Sequence, residues 1–207
     1  MGLTSDSAQA ATQIPLWIKV VYTLFVCALI PVYWVKYGVR NFLWFSDIAL
    51  LTSIPALWLE NSLLASMMAV AVLVPEVAWN VDFFGRLIFG RGIGGLSGYM
   101  FDPRRPLYLR GLSLFHIVLP VLLVWMVHRL GYDRRAWVAQ TVLACVVLPA
   151  TYLLTKPADN INWVFGPLSQ PQQRLPPLLY LGLVMLLFPV VIYLPTHWVL
   201  ARLFGKP

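Results

Sequence analysis

Charge is what this 207-residue chain has least of: 11% of its residues are Asp, Glu, Lys or Arg, where a soluble globular domain carries about a quarter. With 60% hydrophobic residues and a mean hydropathy of +0.76, that shortage excludes a soluble class and predicts an integral membrane protein. Acidic residues are the scarcer sign, 8 against 15 Lys and Arg. The basic excess lies near the ends of apolar runs and no basic run is long, so it reads as positive-inside bias and contact with anionic lipid, not nucleic-acid binding. Cysteine is nearly absent; Cys27 and Cys145 both sit in apolar runs, which excludes a disulfide framework and predicts packed thiols. No Cys/His spacing suits zinc, and no cofactor is expected. No lysine falls in the middle of a span, which excludes a retinal Schiff base, since Lys19, Lys36, Lys156 and Lys206 are all near span ends. The glycine run GRGIGGLSG lacks a GKS or GKT ending, so it predicts a flexible connection and not a phosphate loop. The first residues, MGLTSDSAQAATQ, lack the basic n-region of a signal peptide and read as a disordered polar tail over residues 1–13.

What is there is a series of apolar runs. Spans are expected at residues 14–34, 42–59, 63–83, 107–128, 137–155 and 178–198, each long enough to approach a hydrocarbon core of about 30 Å at about 1.5 Å per residue. The fold class is therefore all-α, a single multi-pass bundle of about six transmembrane helices with both termini on one side. It would reside in the plasma membrane, or the inner membrane of a bacterium. Glu60-Asn61-Ser62 leaves room only for a tight turn between the second and third spans. Lys and Arg are more numerous in the connections after spans one, three and five, which favours that face as cytoplasmic. No internal repeat stands out, which weighs against an inverted-repeat transporter.

Polar residues inside the spans carry the functional expectation. His116 lies about 13 Å along the fourth span, too deep for a headgroup anchor, and an ionisable group there is a functional-site hypothesis. Asp47 lies about 7 Å and Glu76 about 10 Å from the same face, with Ser46 beside Asp47 and Asn80 one turn nearer the surface than Glu76. Ser113 shares the helix face of His116. Asp159-Asn160-Ile161-Asn162 and Asp82 sit at the rim, the two aspartates solvated. All these groups fall in one leaflet. Their chemistry suits His116 as general base, Asp47 as its orienting partner or a second acid, Glu76 as a further polar group and Ser46 as a nucleophile, unless His116 activates water. Asn80, Ser113, Asn160 and Asn162 would contact substrate. His128 and His197 fall at the opposite face, so no metal or haem site shared with His116 is expected. The same groups also suit interhelical glue, with Glu76 and Asn80 capping a kink at Pro75.

Three segments, RNFLWFSDIAL, LRGLSLFHIVLPVLLVWM and NWVFGP, resemble the androgen-induced-protein and YwaF-like membrane families. The first of these includes intramembrane threonine hydrolases of lipid esters. The resemblance implies a six-helix bundle with His116, within HIVLP, in its site. Asp47 matches the aspartate of the family's F-L-T-F-I-D motif, which reads FLWFSD here, so Trp44 stands at the threonine. The expected function is thus an intramembrane hydrolase or binder of a lipid-like, amphipathic ester among membrane lipids. The alternatives are a structural or accessory subunit that associates with other membrane subunits, and a small transporter.

Overall fold

The computed structural model describes residues 13–92, 94–168 and 170–205, and these are helical with no β-strand among them. Apart from Gln13, the expected tail lies outside the described residues. The helices are α1 (Leu16–Tyr37), α2 (Phe45–Trp58), α3 (Ser62–Phe89), α4 (Leu107–Leu112), α5 (Phe115–Leu130), α6 (Ala136–Leu154), α7 (Pro177–Leu187) and α8 (Leu194–Phe204). A wide π turn, Phe188–Tyr193, joins α7 to α8, with Pro189, which has no amide hydrogen to donate, in its first turn. Five helical segments are long and apolar enough to cross a membrane: α1, α3, α4 with α5, α6, and α7 with α8.

The exception is α2. Its 14 residues span only about 21 Å, although the apolar run that contains it begins at Phe42. A tight turn over Val39–Leu43 precedes it. The Asn162 side chain then sets the start, accepting from the Phe45 amide at 3.0 Å and donating to the Leu43 carbonyl at 2.7 Å. At its other end Glu60 turns the chain in a left-handed conformation (φ 48°), and Asn61 caps α3 by accepting from the Leu64 amide.

Glu60 also defines one end of the bundle. It accepts from the Gln13 and Ile14 amides and from Lys19 Nζ, so the α2–α3 turn is level with the start of α1. Arg129 donates to the Gln13 carbonyl and the Tyr132 amide to that of Phe204. Both described ends of the chain therefore meet the end of α5 and the connection that follows it. This is the closed end. Because α2 is eight residues shorter than α1, it stops about 12 Å short of the opposite end.

The central helix is α3: half of its most apolar stretch is buried, against 28% for that of α1. Ala65, Ser66, Ala69 and Ala71 are buried on it, and such small side chains let neighbouring backbones approach closely. The outer surface is apolar, with Trp17, Leu24, Val121, Val142 and Leu186 all more than half exposed. Cys27 and Cys145 are free thiols as expected, but they face outward and are not packed.

Between α4 and α5 the chain tightens, the His116 amide bonding the Ser113 carbonyl three residues back and the Ile117 amide that of Leu114.

Candidate functional site

Where α2 stops short, the chain leaves a cavity of about 920 Å³. Its walls come from the connections after α1, α3 and α6 and from the adjoining helix ends, so three stretches distant in sequence meet at one end of the bundle. Ser46, Asp47, Glu76, His116, Asn160 and Asn162 all line it. Asn80 and Ser113 stand behind the wall.

His116 and Glu76 are bonded directly, Nδ1 to Oε2 at 2.8 Å, across the α3–α5 interface. Glu76 is 1% exposed and the His116 side chain 15%. Nδ1 is the ring nitrogen turned to Glu76, its donor or acceptor role following the tautomer, and Nε2 makes no hydrogen bond among the described residues. The orienting partner of the histidine is thus Glu76, one of two carboxylates in the cavity, and not Asp47. Trp79, one turn along α3 from Glu76, stacks on the imidazole with ring centroids 4.7 Å apart. Nδ1 is held by a carboxylate and one ring face by an indole, which fixes the imidazole plane.

Asp47 accepts from Asn41 Nδ2 at 3.1 Å through Oδ2. Its Oδ1 is buried with no hydrogen-bond partner among the described residues, and Glu76 Oε1 shares that condition. Two carboxylates in one cavity each keep an oxygen unused, which is an uncommon arrangement for buried charge. The Ser46 hydroxyl lines the cavity without a hydrogen bond to His116.

Asn80 has a backbone role that its type alone does not announce. Its Nδ2 donates to the carbonyls of Glu76 and His116, each at 2.8 Å. Pro120, four residues after His116, has no amide hydrogen, so the His116 carbonyl lacks its helical donor. Asn80 supplies one from the neighbouring helix. Ser113, expected near the imidazole, instead donates to the Leu109 carbonyl and accepts from the Tyr33 hydroxyl at 2.9 Å, tying α1 to the α4–α5 break.

Two expectations are corrected here. Asp82 is not solvated: it is 1% exposed and accepts from the amides of Gly94, Gly95 and Ser97, the Ser97 hydroxyl and Arg86 Nε. The glycine run is therefore not a loose connection; its amides form a nest around the protein's own carboxylate. A Cβ at Gly92 would strike Asp82 and Arg86. The nest carries Gly95, Leu96 and Tyr99 to the cavity wall. Burial pushes the Tyr99 hydroxyl well above its ordinary pKa.

Asn160 and Asn162 likewise build the wall. Asn160 donates to the Gly166 and Leu168 carbonyls and accepts from the Phe165 amide. Asn160, Asn162 and Trp163 all have positive φ, 39°, 50° and 60°, a conformation asparagine tolerates and tryptophan rarely adopts. Asp159 is exposed at the rim, as expected.

Residues that escaped the sequence reading are Trp79, Tyr33 and Arg105. Trp79 sits three residues from Glu76, a helical spacing that places both on one face. Arg105 lies at the mouth, its guanidinium 5.7 Å from the Tyr37 ring centroid and 5.3 Å from that of Tyr99, with Nη1 donating to the Tyr37 hydroxyl at 3.2 Å. Groups of three or more His, Cys, Asp or Glu able to hold a metal do not occur among the described residues. Comparison of the chain with protein-family models, curated proteins and solved structures finds no match in any of the three.

Proposed function

We propose that this is a multi-pass membrane protein of six helical passes whose cavity opens at one membrane face and hydrolyses an ester of a lipid-like amphiphile, with His116 as general base. The observation that carries the reading is the buried Glu76–His116 pair, 2.8 Å apart, at the wall of a cavity of about 920 Å³. The apolar outer surface suits hydrocarbon, and a buried ionisable pair in such a setting marks a site. The cavity end carries the connections richest in Lys and Arg, which favours a cytoplasmic opening. A second, apolar groove of about 320 Å³ runs between α1 and α5 and shares Phe115 with the cavity wall. A ligand with its head in the cavity would lay its acyl chain there.

In the proposed step, water loses a proton to His116 Nε2 while its oxygen attacks the ester carbonyl. Collapse of the tetrahedral intermediate breaks the carbon–oxygen bond, and the proton on Nε2 passes to the leaving alkoxide. Glu76 holds the ring in the required tautomer and stabilises the imidazolium between those events. Water is the favoured nucleophile because Trp44 stands where the resembling family has threonine and Ser46 makes no bond to His116.

The test is hydrolysis of a monoacylglycerol by the purified protein in neutral detergent, with thermal unfolding recorded for each variant. His116→Ala should lower turnover by about 10²-fold or more, and Glu76→Gln by a smaller factor, in proteins that still unfold cooperatively. Undiminished turnover by folded His116→Ala, or none by the wild type with monoacylglycerol and lysophospholipid esters alike, would sink the proposal and leave the pair as interhelical glue.

A further inference from the structure

The proposed function leaves the unused oxygens of Asp47 and Glu76 unexplained, and they point to the kind of head group the cavity accepts. Asp47 is 4% exposed and Glu76 1%, yet Asp47 Oδ1 and Glu76 Oε1 each lack a partner among the described residues. A carboxylate buried to that degree is stable as an anion only beside a positive group. His116 is committed to Glu76 through Nδ1, and among the described residues no Lys or Arg bonds either carboxylate. The walls around them are aromatic: Trp44, Trp79 and Tyr99 line the same space. Buried carboxylates without a cation, each with an oxygen free of partners in the cavity they line, form a site for an alkylammonium group.

The mouth has the opposite sign. Arg105 is stacked against Tyr37 and Tyr99, which hold its guanidinium in place, and it forms no ion pair among the described residues. It is held ready for an anion such as a phosphate diester. Arg40 adds positive charge at the same rim. The cavity thus combines a cation held on two rings, partly exposed, with two buried carboxylates.

We infer that the cavity binds a zwitterionic amphiphile, its ammonium group between Asp47 and Glu76 and its phosphate at Arg105. The inference rests on the proposed function only in placing an amphiphile in this cavity; it does not require hydrolysis.

The experiment compares three lipids of one chain length, lysophosphatidylcholine, lysophosphatidic acid and monoacylglycerol, added to the purified protein in maltoside micelles. Binding is read from tryptophan fluorescence, because Trp44 and Trp79 line the site, and from the thermal shift. The choline lipid should bind at least tenfold more tightly than the other two. Asp47→Asn should remove most of its advantage over lysophosphatidic acid. Arg105→Gln should weaken both phosphate lipids and leave the monoacylglycerol unchanged. Equal affinity for choline lipid and lysophosphatidic acid, or an unchanged preference in folded Asp47→Asn, overturns the inference. Hydrolysis of monoacylglycerol without any head-group preference would overturn it too, while leaving the proposed function standing. Choline-selective binding with no turnover of any ester would do the reverse.

Discussion

Asp82 and Asp47 are buried to nearly the same extent at the same end of the bundle, and their surroundings are opposite. Asp82 is saturated by five donors from a loop 12–15 residues further on and from Arg86. Asp47 has one donor and an idle oxygen. The glutamates repeat the contrast across the bundle: Glu60 gathers Lys19 and two amides at the closed end, whereas Glu76 spends one oxygen on His116 and none of the other. Saturated carboxylates here organise the chain, and unsaturated ones face the cavity. Burial alone does not distinguish the two kinds; the count of donors does.

The contrast can be broken most forcefully at Asp82. Asp82→Ala strands the Gly94, Gly95 and Ser97 donors, and removing one side of so buried a set costs about 3–5 kcal/mol. Thermal unfolding in detergent should fall accordingly, and protease should cut within residues 91–98; an unaltered melting temperature would show the nest to be dispensable. Next is Asn80→Ala, which leaves the His116 carbonyl bare and should cost about 1–3 kcal/mol. In a Pro120→Ala background the helix regains its own donor, so the same substitution should cost far less; equal costs in both backgrounds would sever Asn80 from the proline.

A smaller effect is expected at Lys19→Gln, about 1 kcal/mol. Burial works to raise the Glu60 carboxyl, but the Lys19 ammonium and the Gln13 and Ile14 amides outweigh it, and the net result lies below the ordinary value. A lowered folded-state pKa means that Glu60 contributes its stability above the unfolded value of about 4.3 and loses it as pH falls through the folded one. The wild type should therefore lose stability on acidification below about pH 4.3, and Lys19→Gln should lose less. Smallest is Asp47→Asn, which removes an under-partnered buried charge and should lie within about 1 kcal/mol of the wild type, on the stabilising side. A loss as large as that at Asp82 would show that Asp47 is structural after all.

The helices were legible because hydropathy marks them: every expected span contains a helix. The limits of α2 were not, since Phe42, Leu43 and Trp44 continue the apolar run, and the residue that starts the helix at Phe45 is Asn162, more than a hundred positions away. The side chains later found around the cavity were legible as a group by their depth, but their pairing was not. Periodicity places Glu76 and Asn80 on one face of α3; it cannot say that His116, on another helix, bonds Glu76 and not Asp47. The role of Asp82 was hidden for a related reason, because its partners are backbone amides, which carry no letter in the sequence. A glycine-rich run following a carboxylate was the available clue, since a chain that exposes so many amides needs an anion to collect them.

The proline in α5 has a mechanical consequence. Because Asn80 reaches from α3 to the carbonyl that Pro120 leaves open, the backbone of His116 is pinned to α3 separately from its imidazole. Breaking the bond between the ring and Glu76 would therefore leave the Asn80 link between the two helices in place. The fastening between the helices and the contact with Glu76 thus run through different atoms of the same residue, so that the loss of one leaves the other standing.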